Sequence, residues 1–291
     1  MRTEKEMMDL ILKVAMNDKR IRGVGMNGSR VNPNVPKDLF QDYDIVYLVT
    51  DMDSFISDPS WINVFGEQLI MQTPEAMSMF PPELGGRFSY LMQFSDGNRI
   101  DLLLVPVNEK DVYCKEDKLT KILLDKDNQL PPISEPTDED YWVKRPTTEF
   151  FDDCCNEFWW VSNYVAKGLW REEFLYAQEH LNNVREMLIQ MLEWQVGIQT
   201  DFLVSVGKNG KYLDNFLSQK SWQELLSTYT NGNYEDCWRA LFSMCDLFSS
   251  TAEYVSKNLK FHYQKARYSK VYDHLKHIKS LPRDAKKIIN F

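Results

Sequence analysis

Two carboxylates at the head of an apolar run are the hardest feature of this chain to accommodate. Asp42 and Asp44 open the segment Asp42-Tyr-Asp-Ile-Val-Tyr-Leu-Val49. Side chains at i and i+2 of a strand share a face, so both carboxylates aim at one spot. Two such anions repel unless a cation lies between them. Hard oxygen donors of this kind suit Mg²⁺, which takes one or two carboxylates together with substrate phosphates. A preceding apolar run, Val24-Gly-Met-Asn27, ends in Gly28-Ser29. A Gly-Ser turn offers backbone N–H groups and a hydroxyl to phosphates. Together the two stretches predict a site for a nucleoside triphosphate and its metal.

Gly28-Ser29 followed at this distance by Asp42-x-Asp44 resembles the pattern of the nucleotidyltransferase superfamily. Further along, Phe88–Phe94 and Arg99–Val105 flank Ser95-Asp-Gly-Asn98, a strong hairpin signal. Asp101 lies inside the second of these strands, between Ile100 and Leu102. A carboxylate there is costly without a partner. Arg99 or Arg87 could pair with it, or an edge strand could leave it in water. In the resembled superfamily a third carboxylate on a neighbouring strand completes the metal site, and the resemblance implies that role for Asp101.

The chain has 291 residues, enough for two domains or one large one. Periodicity predicts a helix over 3–17 and strands over 21–26, 43–49 and 68–72. It also predicts a short helix over 61–65 and another near Lys118–Leu124. Pro33 and Pro36 make 31–40 a loop. The Pro- and acid-rich stretch 106–145 reads as a linker around that second short helix, and helical periodicity dominates from Thr147 onward. Helices are expected over 147–170, 172–196, 211–216 with 222–229, 235–258 and 268–277. The expected fold class is α+β, with a mixed-sheet domain over 1–135 that is polymerase-β-like by resemblance. A helical-bundle, substrate-binding domain is expected over 136–291.

A net charge of -9 argues against a large nucleic-acid footprint and fits a neutral or cationic substrate. Cys114, Cys154, Cys155, Cys237 and Cys245 show no zinc or CxxC spacing, and buried thiols are expected. The four histidines form no metal pattern, and the basic C-terminal helix reads as a solvated face. The charged start, Met1-Arg-Thr-Glu-Lys-Glu6, lacks a signal-peptide core, and no apolar run reaches membrane-spanning length. A cytoplasmic monomer without nucleic-acid or membrane partners is expected.

The stretch Thr147–Trp170 predicts a striped helix. Cys154, Phe158, Val161, Val165 and Leu169 fall on one face, and Glu149, Asp153, Glu157, Trp160, Tyr164, Lys167 and Arg171 on the other. Acids early and bases late suit the helix dipole. The same acids, interleaved with aromatic rings, could equally line a groove for a polycation.

The words Phe151-Asp-Asp-Cys-Cys-Asn-Glu-Phe-Trp-Trp160, Tyr164-Val-Ala-Lys-Gly-Leu-Trp-Arg171 and Met191-Leu-Glu-Trp194 resemble the aminoglycoside 6-adenylyltransferases, which inactivate streptomycin. The similarity covers essentially the whole chain. It implies transfer of AMP from ATP to the 6-hydroxyl of streptomycin, with release of pyrophosphate. Asp42, Asp44 and Asp101 would hold Mg²⁺, and Asp101 would take the hydroxyl proton, with Asp153 as the fallback base. Gly28, Ser29 and Arg30 would hold the triphosphate, with Lys167 as a further contact. Glu149, Asp152, Asp153 and Glu157 are matched to the drug's two guanidinium groups, and Trp160 and Tyr164 to cation–π stacking. The competing expectations are a nucleotidyltransferase acting on another protein and an antitoxin-like binding module.

Overall fold

The structure, a computed structural model, describes residues 1–288. The chain divides into two compact units, Met1–Asp140 and Tyr141–Phe291.

The first unit begins with helix α1 (Glu4–Asn17). Thr3 caps it: the Glu6 N–H donates to Thr3 Oγ1, and the Thr3 N–H donates to the Glu6 carboxylate at 2.7 Å. No basic residue stands in its last turn. Lys126 takes that part from outside, donating to the carbonyls of Ala15, Met16 and Asp18. Strands β1 (Ile21–Asn27) and β2 (Tyr43–Val49) follow, then the short helix α2 (Met52–Ser57). After them come β3 (Gln68–Gln72), β4 (Phe88–Phe94), β5 (Arg99–Pro106), helix α3 (Lys110–Glu116) and β6 (Thr120–Asp125).

The sheet order is β3-β4-β5-β2-β1-β6. Its neighbours are antiparallel except for β2 and β5, which run parallel at its centre. Both faces of β2 are covered, which explains its unbroken apolar run. Tyr43, Ile45, Tyr47 and Val49 pack with Met7, Ile11 and Ala15 of α1, while Val46 and Leu48 pack with Tyr113 and Cys114 of α3. β1 stays thin enough for this layering: a Cβ on Gly25 would lie 1.8 Å from the Tyr113 hydroxyl.

The helix expected near Lys118–Leu124 is instead strand β6, and the short helix of this region lies earlier, at α3. So short a segment has little helical stability of its own. Pairing with the free edge of β1 supplies a full ladder of backbone hydrogen bonds instead. The helix expected over 61–65 is a 3₁₀ segment, Pro59–Phe65.

The second unit holds α4 (Thr148–Trp170), α5 (Phe174–Gln199), α6 (Gln219–Leu226), α7 (Tyr234–Leu259) and α8 (Lys265–Ser280). The helix expected over 211–216 is only a 3₁₀ turn, Leu213–Asn215. The core is aromatic, with Phe158 and Phe248 stacked at 3.8 Å between α4 and α7. All five cysteines are free and buried. Among the described residues no helix is long and apolar enough to cross a membrane.

Candidate active site

The parallel pairing of β2 with β5 sets Asp44 beside Asp101 as register partners, on the face that also carries Val46 and Leu48. Asp42, two residues earlier, joins them. One oxygen from each of the three carboxylates lies within 4.8 Å of the others, and this is the one such cluster of possible metal ligands among the described residues. The sequence reading of Asp101 as an interior carboxylate needing a partner is met twice. It belongs to the cluster, and Arg99 Nε and Nη2 both donate to it at 2.7 Å. Arg99 Nε also stands 3.7 Å from Asp42.

Burial, with the charges of Asp42 and Asp101 close by, pushes the Asp44 carboxyl up to about 7. Three hard oxygen donors meeting at one point, one of them this reluctant to ionise beside the others, are a donor set that fits a divalent cation such as Mg²⁺. The Gly-Ser turn completes the cradle. Gly28 has φ +74°, and a Cβ on it would lie 2.0 Å from Asp44 Oδ2. Only glycine satisfies both the backbone angle and the carboxylate lying over it.

Ser29 follows in the same 3₁₀ turn, half-buried. Arg30 bonds the backbone beside the cluster. Its Nε donates to the Asp42 carbonyl at 2.9 Å and its Nη2 to the Gln41 carbonyl at 2.7 Å. Its guanidinium carbon sits 3.7 Å from the Tyr43 ring centroid, and Glu4 lies 3.7 Å from Nη1. Arg30 thus clamps the backbone that presents Asp42. Beside the cluster a cavity of about 310 Å³ is lined by Asn27, Asp44, Leu91, Asp101, Tyr113 and Glu116, among others. Tyr113 donates to Asn27 Oδ1 at 2.9 Å, and Asn27 Nδ2 donates to Thr120.

Arg99 and Asn27 are the members that sequence reading passed over as parts of a site. Arg99 shares the parity of Asp101 along β5, a signal that was available. Nothing in the sequence distinguishes Asn27 until its neighbour Gly28 is seen to lie against Asp44.

The remaining candidates lie on the helical unit, all on α4. Glu149, Asp152, Asp153 and Glu157 are exposed, and Trp160 is 59% exposed. Trp160 Nε1 donates to the Tyr164 hydroxyl at 2.7 Å. The Lys167 ammonium lies 4.9 Å from the Tyr164 ring centroid and 5.4 Å from that of Tyr176. The expected apolar stripe is buried, and it is wider than the wheel indicated, taking in Phe151, Cys155, Trp159 and Ala166.

A central parallel strand pair that presents three carboxylates beside a glycine turn defines a nucleotidyltransferase type of site. The family described as streptomycin adenylyltransferase matches residues 1–278. The chain is 49% identical over 265 residues to the aminoglycoside 6-adenylyltransferase of Bacillus subtilis (strain 168), covering 90% of this chain and 93% of that one. It is 48% identical over 266 residues to the enzyme of the same name from Campylobacter jejuni, covering 90% and 91%. A solved structure, that of an aminoglycoside 6-adenyltransferase from Bacillus subtilis, aligns at 42% identity over 97% of this chain and 100% of that one, with a TM-score of 0.48. The chain belongs to the streptomycin adenylyltransferase family.

Proposed function

We propose that this protein transfers the adenylyl group of ATP to the 6-hydroxyl of streptomycin, releasing pyrophosphate and so conferring resistance to the drug. Family membership supports adenylyl transfer to an aminoglycoside. It also speaks against the protein-modifying and antitoxin-like alternatives. The observation that carries the chemistry is the convergence of Asp42, Asp44 and Asp101 against Gly28.

In the reaction the drug hydroxyl oxygen attacks the α-phosphorus, and the bond from that phosphorus to the bridging oxygen breaks. Pyrophosphate leaves with the electron pair, and the hydroxyl proton goes to a carboxylate. Asp42, Asp44 and Asp101 would hold Mg²⁺, and the ion would supply electrostatic stabilisation of the charge that develops at the reacting phosphate. The N–H groups and hydroxyl of Gly28-Ser29 bind the β- and γ-phosphates. Arg30 acts on the triphosphate only through the backbone it holds, and Lys167 is the further cationic contact from the helical unit. Asp101 takes the proton once Arg99 releases one of its two hydrogen bonds, because a carboxylate forked by a guanidinium has few free lone pairs. Glu149, Asp152, Asp153 and Glu157 bind the guanidinium groups, with Trp160 and Tyr164 stacking on them. The helical unit, Tyr141–Phe291, is thereby the drug-binding part and Met1–Asp140 the nucleotide-binding part, a division five residues beyond the expected one at 135/136. The enzyme works as a cytoplasmic monomer, where ATP and Mg²⁺ are supplied.

The test incubates the purified chain with Mg-ATP and a panel of aminoglycosides and measures pyrophosphate. Release with streptomycin, and a product carrying AMP at the 6-position, is the expected result. Release with other aminoglycosides only, or with none, would overturn the assignment.

A further inference from the structure

Lys167 sits half-buried near the end of α4, and among the described residues it forms no ion pair. Two phenol rings hold it instead. Its ammonium faces the Tyr164 ring of its own helix at 4.9 Å and the Tyr176 ring of α5 at 5.4 Å. An ammonium is drawn to the negative face of an aromatic ring. A carboxylate in that place would occupy the N–H donors of the lysine and cancel its charge. Rings restrain the ammonium and leave its donors free for an anion.

The start of α5 is shaped to bring the second ring there. The Glu173 N–H donates to the Gly168 carbonyl at 2.9 Å, which turns the first turn of α5 back against the last turn of α4. Gly168, next to Lys167, makes the room: a Cβ on it would lie 2.8 Å from Tyr176 Cδ1 and 3.2 Å from the Ala177 Cβ. Tyr176 is 37% exposed, so core packing does not call for a ring at this position. His180, one turn further along α5, backs both rings. Its imidazole stands edge-on to Tyr176 at 4.3 Å and lies 5.2 Å from the Tyr164 ring. Its Nδ1 is buried without a hydrogen-bond partner. An apolar side chain would fill that space without leaving a buried nitrogen unpaired, so stability alone does not account for the histidine.

We propose that Tyr176 and His180 are positioning residues for adenylyl transfer: with Tyr164 they hold the Lys167 ammonium, its charge unneutralised, for the triphosphate. The inference rests on the reading of Lys167 as a triphosphate contact. A lysine stem has many rotamers, and ordering it when the nucleotide arrives costs entropy. Here the rings order it during folding. Neither Tyr176 nor His180 needs to touch ATP, since both act through Lys167.

The test measures Mg-ATP binding to the full chain by calorimetry, without the drug. Tyr176→Leu should weaken binding about fivefold, the loss expected for one cation–π contact. Tyr176→Phe keeps the ring and should bind within about twofold of wild type. His180→Ala, which removes the brace, should weaken binding about threefold. Lys167→Ala should weaken it outright, and adding Tyr176→Leu or His180→Ala to that chain should change nothing more. A second readout does not involve ATP. By NMR the Lys167 Hε protons, assigned by their loss in Lys167→Ala, should lie upfield from ring currents in wild type and Tyr176→Phe, and return toward the free-lysine position in Tyr176→Leu. Wild-type binding in Tyr176→Leu or His180→Ala, or an equal loss in the Lys167→Ala background, would overturn the proposal. Binding indifferent to Lys167→Ala would overturn both the proposal and the reading of Lys167 on which it rests. The expected binding pattern with no pyrophosphate from any drug would remove the proposed substrate and leave the positioning role standing.

Discussion

Both units carry grouped acids, and the two sets hold their charge in different ways. On the sheet, Asp44 and Asp101 are register partners on β2 and β5, Asp42 stands just before β2, and the three meet within 4.8 Å, partly buried. On α4, Glu149, Asp153 and Glu157 follow one another a turn apart and stand in solvent. The first set concentrates charge in a partly buried spot, where burial and the two neighbouring carboxylates push the Asp44 carboxyl up to about 7. The second spreads charge over a helix face, where each carboxylate keeps its own hydration shell. Convergence suits a metal and a reacting phosphate, and spacing suits a long ligand with separated cations.

If this contrast is right, damage to the sheet cluster should be catastrophic and damage to the helix face graded. Asp42→Asn or Asp44→Asn should lower kcat/KM by about a thousandfold or more, about 4 kcal/mol of transition-state stabilisation. Circular dichroism should show the fold unchanged, and turnover near wild type would remove the carboxylates from the mechanism. Gly28→Ala should cost about a hundredfold, because the methyl group must displace the Asp44 carboxylate. Activity within a few-fold of wild type would show that the turn tolerates the displacement.

A third prediction concerns the metal-free protein and pH. The folded Asp44 pKa, about 7, lies above the ordinary value of 3.8. A raised folded pKa favours the protonated form, so the fold is penalised as pH rises through 7 and relieved as it falls toward 3.8. Asp44→Asn should therefore raise the Tm of the metal-free chain at pH 8 by about 3 °C or more. At pH 4 it should change little, and excess Mg²⁺ should remove the advantage at pH 8. Equal melting at pH 8 would show that the cluster carries no charge strain. The smallest effect belongs to the helix face. Glu157→Gln should raise the KM for streptomycin about threefold with kcat unchanged, as expected for an exposed charge pair. An unchanged KM would take Glu157 out of drug recognition.

The same contrast explains what could be read in advance. Tyr43–Val49 and the hairpin around Asp96-Gly97 were plain because both signals are local, an apolar run and a turn dipeptide. That Asp44 sits opposite Asp101 is a matter of register between strands distant in the chain, and only the superfamily pattern suggested it. Strand β6 does not follow from local propensity, because edge pairing with β1 decides its state. The place of Arg30 beside Gly28-Ser29 suggests a phosphate contact. Its direction depends on the Tyr43 ring and two carbonyls, which only tertiary structure supplies. The meeting of Tyr164 and Tyr176 around Lys167 does not show in the sequence, because the two rings stand on different helices.

The parallel pairing of β2 with β5 also sets an order of events in folding. The antiparallel β1–β2 pair joins nearby segments and can close as soon as both are synthesised. The β2–β5 pair must wait for the whole intervening chain and close a much larger loop. Until then Asp42 and Asp44 have no Asp101 beside them, and the early chain is spared the repulsion of the finished cluster. Closing the centre of the sheet is therefore the step at which the protein takes on its electrostatic load, and a divalent cation present at that moment would favour the closed sheet over the open one.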